Sequence, residues 1–297
     1  MQTTPNTLNC DIKPKTAKID KLNKCLIKRN IGGIGDWLML TPALKSLANK
    51  FDIYLEIPKK DYPVFENNPA ISGILSTEMK DTDFIKIFDI SDYEFNYEQV
   101  YQPTITKPKQ ELFANALKVD LESVVPVLKI TKKEKKWAEK YLKPFENKKI
   151  LVIAPKSANP TRDWPLDKWK TLINRIKKLN YTIIIANKTL NWDDEDLIFF
   201  NNQSLRNLFA LVSKATFVIS NDSGLSHIAA AFNIPSFTIF GPTDPKIRCV
   251  YPKSYFTRLD LPCSPCWYDR CDKLNCLKLL SVDKVELDLL RAINYEH

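Results

Sequence analysis

Residues 217–245, FVISNDSGLSHIAAAFNIPSFTIFGPTDP, limit the fold more than any other stretch of this 297-residue chain. An apolar run at 217–220 reads as a buried strand. It leads into Asn221, Asp222, Ser223 and Gly224, and residues 225–232 then read as a helix of small side chains. A second apolar run at 236–240 ends in Gly241, Pro242, Thr243, Asp244 and Pro245. Strand, polar turn, helix, strand is the unit of a parallel sheet, whose strands need a crossover between them. The polar turn falls where the helix begins. Free backbone N–H groups and the positive end of the helix dipole meet there, so the turn suits an anion such as a diphosphate.

The same alternation runs along the whole chain. Residues 24–58 read strand, glycine turn, helix, strand: CLIKRN, IGGIGD, WLMLTPALKSLANKF, DIYLEI. Weaker strands follow at 73–76 and 83–90, then a helix at 111–119, an extended stretch at 123–129 and a helix at 131–141. A strand at 150–155 opens the second half. After it come KSANPTRDWP, a helix at 166–178, a strand at 181–186, a charged loop, a helix at 204–215 and, past the opening feature, a last helix at 282–293. This pattern predicts α/β architecture: two Rossmann-like, doubly wound domains facing one cleft. The expected division is a polar extension at 1–22, a front domain at 23–145 and a rear domain at 146–297. Ligands of such sheets bind beyond the carboxyl ends of the strands, where the polar turns lie. Five of the six glycines, Gly32, Gly33, Gly35, Gly224 and Gly241, fall in these turns. They allow close backbone approach, or serve simply as turn residues.

Composition narrows the class. The chain is 44% hydrophobic and 27% charged, as expected of a globular protein with a core. No apolar run approaches the roughly 20 residues that cross a bilayer. The first 22 residues hold no apolar stretch, so they are not read as a secretory signal, and a cytoplasmic setting is expected. The net charge of +9 suits an anionic partner, or else reflects lysines scattered on solvated faces. The densest basic run, KKEKKW at 132–137, reads as an exposed helix start. No nucleic-acid signature is visible, so no nucleic-acid partner is expected.

Cys263, Cys266, Cys271 and Cys276 follow C-x2-C-x4-C-x4-C, while Cys10, Cys25 and Cys249 are dispersed. In a cytosolic chain this grouping favours a metal over disulfides. Four thiolates would hold zinc or iron; reduced thiols or a redox pair are the alternative.

Three segments together resemble glycosyltransferase family 9, the ADP-heptose:lipopolysaccharide heptosyltransferase group: RNIGGIGDWLMLTPALKSL at 29–47, APKSANPTRDWP at 154–165 and SNDSGLSHIAAAFNIPSFTIFGPTDP at 220–245. The resemblance covers about residues 24–290. It implies the GT-B fold, an active site between the two domains, and inverting sugar transfer without a catalytic cofactor. It implies Asp36 as general base, with a helix cap as the plainer reading. Asp222, Ser223, Gly224 and His227 match the donor-binding turn. Arg162 stands where the family has Lys, and with Ser157 would meet the donor phosphate. Gly32, Gly33 and Gly35 form the turn on the acceptor side. Some relatives bind iron through similar cysteines, and here a metal would pin the loop before the last helix. One departure is Asn187-Lys188-Thr189-Leu190, where the family often has a glycine-rich turn with an acidic residue. Another is a short front domain, where the acceptor binds.

The implied function is transfer of heptose from ADP-heptose to a hydroxyl of a lipopolysaccharide-core or related glycan. The expected partners are a nucleotide-sugar donor and an anionic glycan or glycolipid acceptor, with peripheral contact at the inner membrane face. Alternatives are a protein or other acceptor with a different donor, and a nucleotide-sugar-binding protein without activity.

Overall fold

The computed structural model describes residues 23–75, 77–187, 190 and 192–296. The expected extension at 1–22, with Cys10, lies outside them, as do Lys188, Thr189 and His297.

The front unit is built on β1 (Lys24–Lys28), β2 (Asp52–Glu56), β3 (Gly73–Ile74) and β4 (Lys86–Asp89), parallel and ordered β3-β2-β1-β4. Cys25, Leu26 and Ile27 are fully buried, because β1 is central and covered on both faces. Helix α1 (Ile34–Leu47) follows β1, and ten of its fourteen residues are buried. It lies between the front sheet and the rear unit, which explains an apolar run, WLML, without a polar face. Pro42 removes the N–H that would bond the Leu38 carbonyl. Thr41 Oγ1 takes its place on Leu38 O at 2.6 Å and also accepts from Val127 N at 2.7 Å. A short helix, α2 (Tyr62–Phe65), precedes β3.

Helix α3 (Tyr93–Tyr101) has no counterpart among the sequence expectations. Its polarity is inverted: Glu94 and Glu98 point inward, whereas Tyr93, Phe95, Val100 and Tyr101 are exposed. Helix α4 (Lys109–Leu117) completes this half, whereas α5 (Lys132–Leu142) packs on the rear unit, where Trp137 and Tyr141 meet Phe200. Thr131 caps α5 with a capping box closed by Glu134.

The rear sheet is also parallel, ordered β10-β9-β8-β5-β6-β7. In chain order its elements are β5 (Lys149–Ala154), α6 (Leu166–Ile176), β6 (Tyr181–Ile185), β7 (Leu197–Phe199), α7 (Leu205–Val212), β8 (Phe217–Asn221), α8 (Gly224–Ala231), β9 (Ser236–Ile239), α9 (Pro245–Arg248), β10 (Ser254–Thr257), α10 (Asn275–Lys278) and α11 (Val282–Tyr295). β7 begins at the last residue of the charged loop expected at 191–197 and has no counterpart among the expected strands. Every residue of β8 and β9 is buried, as central parallel strands require.

Chain order reverses at β1 in the front sheet and at β5 in the rear sheet. The crevices beside these strands are where such sheets bind ligands. One buried apolar layer joins the two halves, from Ile27 and Leu40 through Leu225 and Ile228 to Val218. It brings α1 and α8 into contact, start against start.

Candidate active site

The turn after β1 is held from beneath by Arg29, which is 1% exposed. Its guanidinium pairs with Glu94, donates to Ile31 O, and lies 4.5 Å from the Trp37 ring and 5.1 Å from the Phe113 ring. Gly32 has φ +134°, and a Cβ there would come within 2.6 Å of Arg29 Nη1, so only glycine closes this turn. The chain then enters α1, and Asp36 occupies its third position. Asp36 Oδ2 accepts from Gly33 N at 2.8 Å, and Oδ1 meets Lys109 Nζ at 2.6 Å. One oxygen of Asp36 thus caps the helix, and the other is paired with Lys109 at the cleft. Burial works to raise the pKa of Asp36, but Lys109, the Gly33 N–H and Arg248 outweigh it and hold the group well below the usual carboxylate range.

On the rear side, Asn221 ends β8 and ties the turn to its neighbours. Its Oδ1 accepts from Trp164 N at 3.2 Å, and its Nδ2 donates to Pro155 O at 2.9 Å. Asp222 accepts from Thr243 Oγ1 at 2.7 Å and faces Arg162 at 3.6 Å. Burial would raise its pKa, and Arg162, Arg248 and Thr243 reverse that to a net lowering. Ser223 precedes α8 in extended conformation, and among the described residues its Oγ has no hydrogen-bond partner. Ser157 lines the same cleft, but its hydroxyl donates to Asn159 O at 2.6 Å within its own loop.

The two glycine turns touch. A Cβ on Gly35 would lie 2.9 Å from His227 Cδ2, and one on Gly224 would lie 3.3 Å from Gly35 N. Asp36, Ser223, Gly224 and His227 thus line one cleft of about 590 Å³, together with Arg162. Gly35→Ala is expected to push the imidazole and α8 away from α1, cutting turnover by about tenfold or more while the fold survives, because misplacement of the order of 1 Å is this costly to positioned groups. Steady-state kinetics beside a thermal melt checks this.

Several residues around this cleft escaped the sequence reading, among them Lys109, Glu98, Arg248 and Tyr251. Lys109 Nζ lies 3.5 Å from Glu98 Oε2, and Glu98 Oε1 accepts from Arg248 Nη2 at 2.5 Å. The result is a chain of alternating charge, Asp36, Lys109, Glu98, Arg248. Arg248 is 5% exposed, yet among the described residues its Nε and Nη1 have no partner. Tyr251 bonds His227. In all, Lys109, Lys156, Arg162 and Arg248 line the cleft with Asp36 and Asp222, while Glu98 pairs with Lys109 and Arg248 and Asp163 pairs with Lys156, so the cations are matched by carboxylates until an anionic ligand competes for them. Local patterns could have flagged only Lys109, at the start of the expected 111–119 helix.

The cysteine segment departs from expectation. Among the described residues no three His, Cys, Asp or Glu side chains come together as a metal-ligand set. Cys263, Cys266, Cys271 and Cys276 are all free thiols; Cys263 and Cys271 are exposed and Cys276 is buried. Cys276 nevertheless lies close enough to Cys263, Cys266 and Cys271 for each of them to act on its thiol, and burial together with these neighbours pushes its pKa up to about 11. Other contacts pin the loop. Ser264 Oγ donates to Gly241 O at 2.6 Å, Cys266 N and Trp267 N both donate to Pro242 O, and Arg248 lies 4.8 Å from the Trp267 ring. Among the described residues no helix is long and apolar enough to cross a membrane.

Residues 88–276 match glycosyltransferase family 9 (heptosyltransferase). The chain is 26% identical over 126 residues to lipopolysaccharide heptosyltransferase 1 of Pseudomonas aeruginosa, a match covering 37% of this chain and 34% of that protein. In sequence it spans about a third of the length of the curated relatives it matches. In structure it is similar to ADP-heptose lps heptosyltransferase II of E. coli, with TM-score 0.71 at 14% identity over 92% of this chain and 99% of that one. It is also similar to E. coli heptosyltransferase WaaC with ADP, with TM-score 0.62 at 16% identity over 91% and 98%. These likenesses show the fold, GT-B: two α/β units facing a cleft. The family match covers more than half of the sequence, and the chain belongs to glycosyltransferase family 9.

Proposed function

We propose that this protein transfers heptose from ADP-heptose to a hydroxyl of a lipopolysaccharide-core or related anionic glycan, with inversion. The contact between the starts of α1 and α8 carries this reading, because it sets the Asp36 carboxylate across from an anion-binding turn. The names of the similar proteins, a lipopolysaccharide heptosyltransferase and a heptosyltransferase with ADP, support the donor and the acceptor class. The front unit at 23–145 would hold the acceptor and the rear unit at 146–297 the donor.

In this mechanism the donor diphosphate lies on the N–H groups of the Ser223–Gly224 turn, with the Ser223 hydroxyl, His227 and Arg162 as further donors. The positive end of α8 stabilises the charge that grows as the anomeric C–O bond breaks. The acceptor hydroxyl enters from the Asp36 side and attacks the anomeric carbon from the face opposite the leaving ADP. Its proton passes to Asp36. Lys109 must first release Asp36, and Glu98, 3.5 Å from Lys109 Nζ, receives it. No step passes through a metal or cofactor.

A thermal-shift panel tests the donor. A ligand that binds only the folded state stabilises it by mass action, so ADP-heptose at about a hundredfold excess over its Kd is expected to raise the Tm by about 5 °C. UDP- and GDP-sugars at the same concentration are expected to raise it by less than about 1 °C. Equal shifts from all three nucleotides would refute the ADP assignment.

A further inference from the structure

His227 Nδ1 lies 2.6 Å from Tyr251 Oη, and Gln110 Nε2 lies 3.0 Å from the same oxygen. All three side chains are buried. An amide nitrogen only donates, so Tyr251 Oη accepts from Gln110. Were His227 Nδ1 to donate to this oxygen as well, the buried phenol hydrogen would have no acceptor among the described residues; the phenol therefore donates to the Nδ1 lone pair, and the imidazole proton resides on Nε2. Reversing the Gln110 amide would leave its NH2 without an acceptor. At present only Oε1 is unpartnered among the described residues, and burying two unpaired N–H donors costs more than burying one unpaired carbonyl. The Nε2 edge is the one that lies against Gly35, 3.3 Å from where a Cβ would stand, at the wall of the cleft.

We propose that Gln110 and Tyr251 are positioning residues that hold His227 as its Nε2–H tautomer, a neutral hydrogen-bond donor presented to a phosphoryl oxygen in the cleft. The ligand half of this rests on the diphosphate reading above; the tautomer half does not. The surroundings agree with a neutral ring. Burial brings the His227 pKa down to about 4; Asp222 and Asp36 favour the charged ring, Arg248 and Lys109 oppose it, and burial prevails. Tyr251 keeps its hydrogen, since burial pushes its pKa far above the ordinary value. Lys109 and Gln110 are adjacent on the first turn of α4, so one helix start serves both the Asp36 carboxylate and the imidazole facing it.

The chain contains two histidines, His227 and His297. 15N-histidine-labelled full-length protein, with His297→Asn for assignment, reports the ring nitrogens directly. The expected result is a protonated Nε2 and a lone-pair Nδ1, without titration between about pH 5 and pH 8. A protonated Nδ1, or a midpoint near the ordinary histidine value, would overturn the tautomer assignment. Tyr251→Phe is expected to mix the tautomers and weaken ADP binding about tenfold; because it also strands Gln110 Nε2 and His227 Nδ1 in the interior, the Tm of the unliganded protein is expected to fall by about 5 °C, and ADP affinity is measured well below it. Unchanged ADP affinity alongside mixed tautomers would overturn the ligand role. If the unaltered protein failed to bind ADP, the donor reading would fall, while the nitrogen shifts would still decide the tautomer.

Discussion

Asp36→Asn is expected to lose about 10²- to 10⁴-fold in transfer rate, the range for removing a positioned general base, while ADP affinity stays nearly constant. The asparagine oxygen still accepts from Gly33 N, so α1 keeps its cap, and Lys109 keeps Glu98 as counter-ion. What is lost is the ability to take a proton. The variant also has a pH signature in stability. The folded-state pKa of Asp36 is depressed, so its contribution is fully present above the unfolded value of about 3.9 and is lost as pH falls through the folded value. Urea midpoints of the two proteins should therefore differ at pH 7 and converge in strong acid. A variant with near-normal turnover would remove Asp36 from the role of base.

Arg29→Met is expected to give the largest loss of stability, about 3–5 kcal/mol, since it strands a buried carboxylate. Glu94 is 3% exposed, and its Oε2 already lacks a partner among the described residues. Burial raises the Glu94 pKa even with Arg29 beside it. Without the guanidinium it should rise further, and below that value the neutral carboxyl needs no cation. The deficit is therefore predicted to shrink as pH falls from 7 towards 5, opposite in direction to the general weakening expected in acid. Arg29→Met/Glu94→Leu should recover most of the loss, because removing both charges ends the desolvation penalty. Denaturant unfolding of the unaltered protein and the two variants at both pH values checks all of this. A flat pH profile for Arg29→Met would contradict the buried-pair account.

Much of this fold could be read from local patterns. The units around β1–α1 and β8–α8 announce themselves as apolar runs broken by glycine and small polar residues, and a central parallel strand needs no more than that. The cleft followed, because both turns end strands at a switch in chain order. Helix α3 was hidden because its stripe of Tyr93, Phe95, Val100 and Tyr101 faces solvent while Glu94 and Glu98 face inward, the reverse of the usual sign. Lys109, Glu98 and Arg248 could not be grouped in advance, since only the packing of α3, α4 and α9 brings together residues up to 150 positions apart. The cysteines show the converse. Their spacing suggests ligands, but their segment is fastened through Ser264, Trp267 and Pro242, whose backbone contacts leave no mark in composition.

The arrangement of Asp36 and the α8 turn around one sugar is open to direct observation. A crystal structure with a non-transferable ADP-heptose analogue should show the diphosphate on the Ser223 and Gly224 N–H groups and Arg162, with the Asp36 carboxylate on the opposite face of the anomeric carbon. A diphosphate bound away from α8, or Asp36 on the same face as the leaving group, would contradict inverting transfer in this cleft.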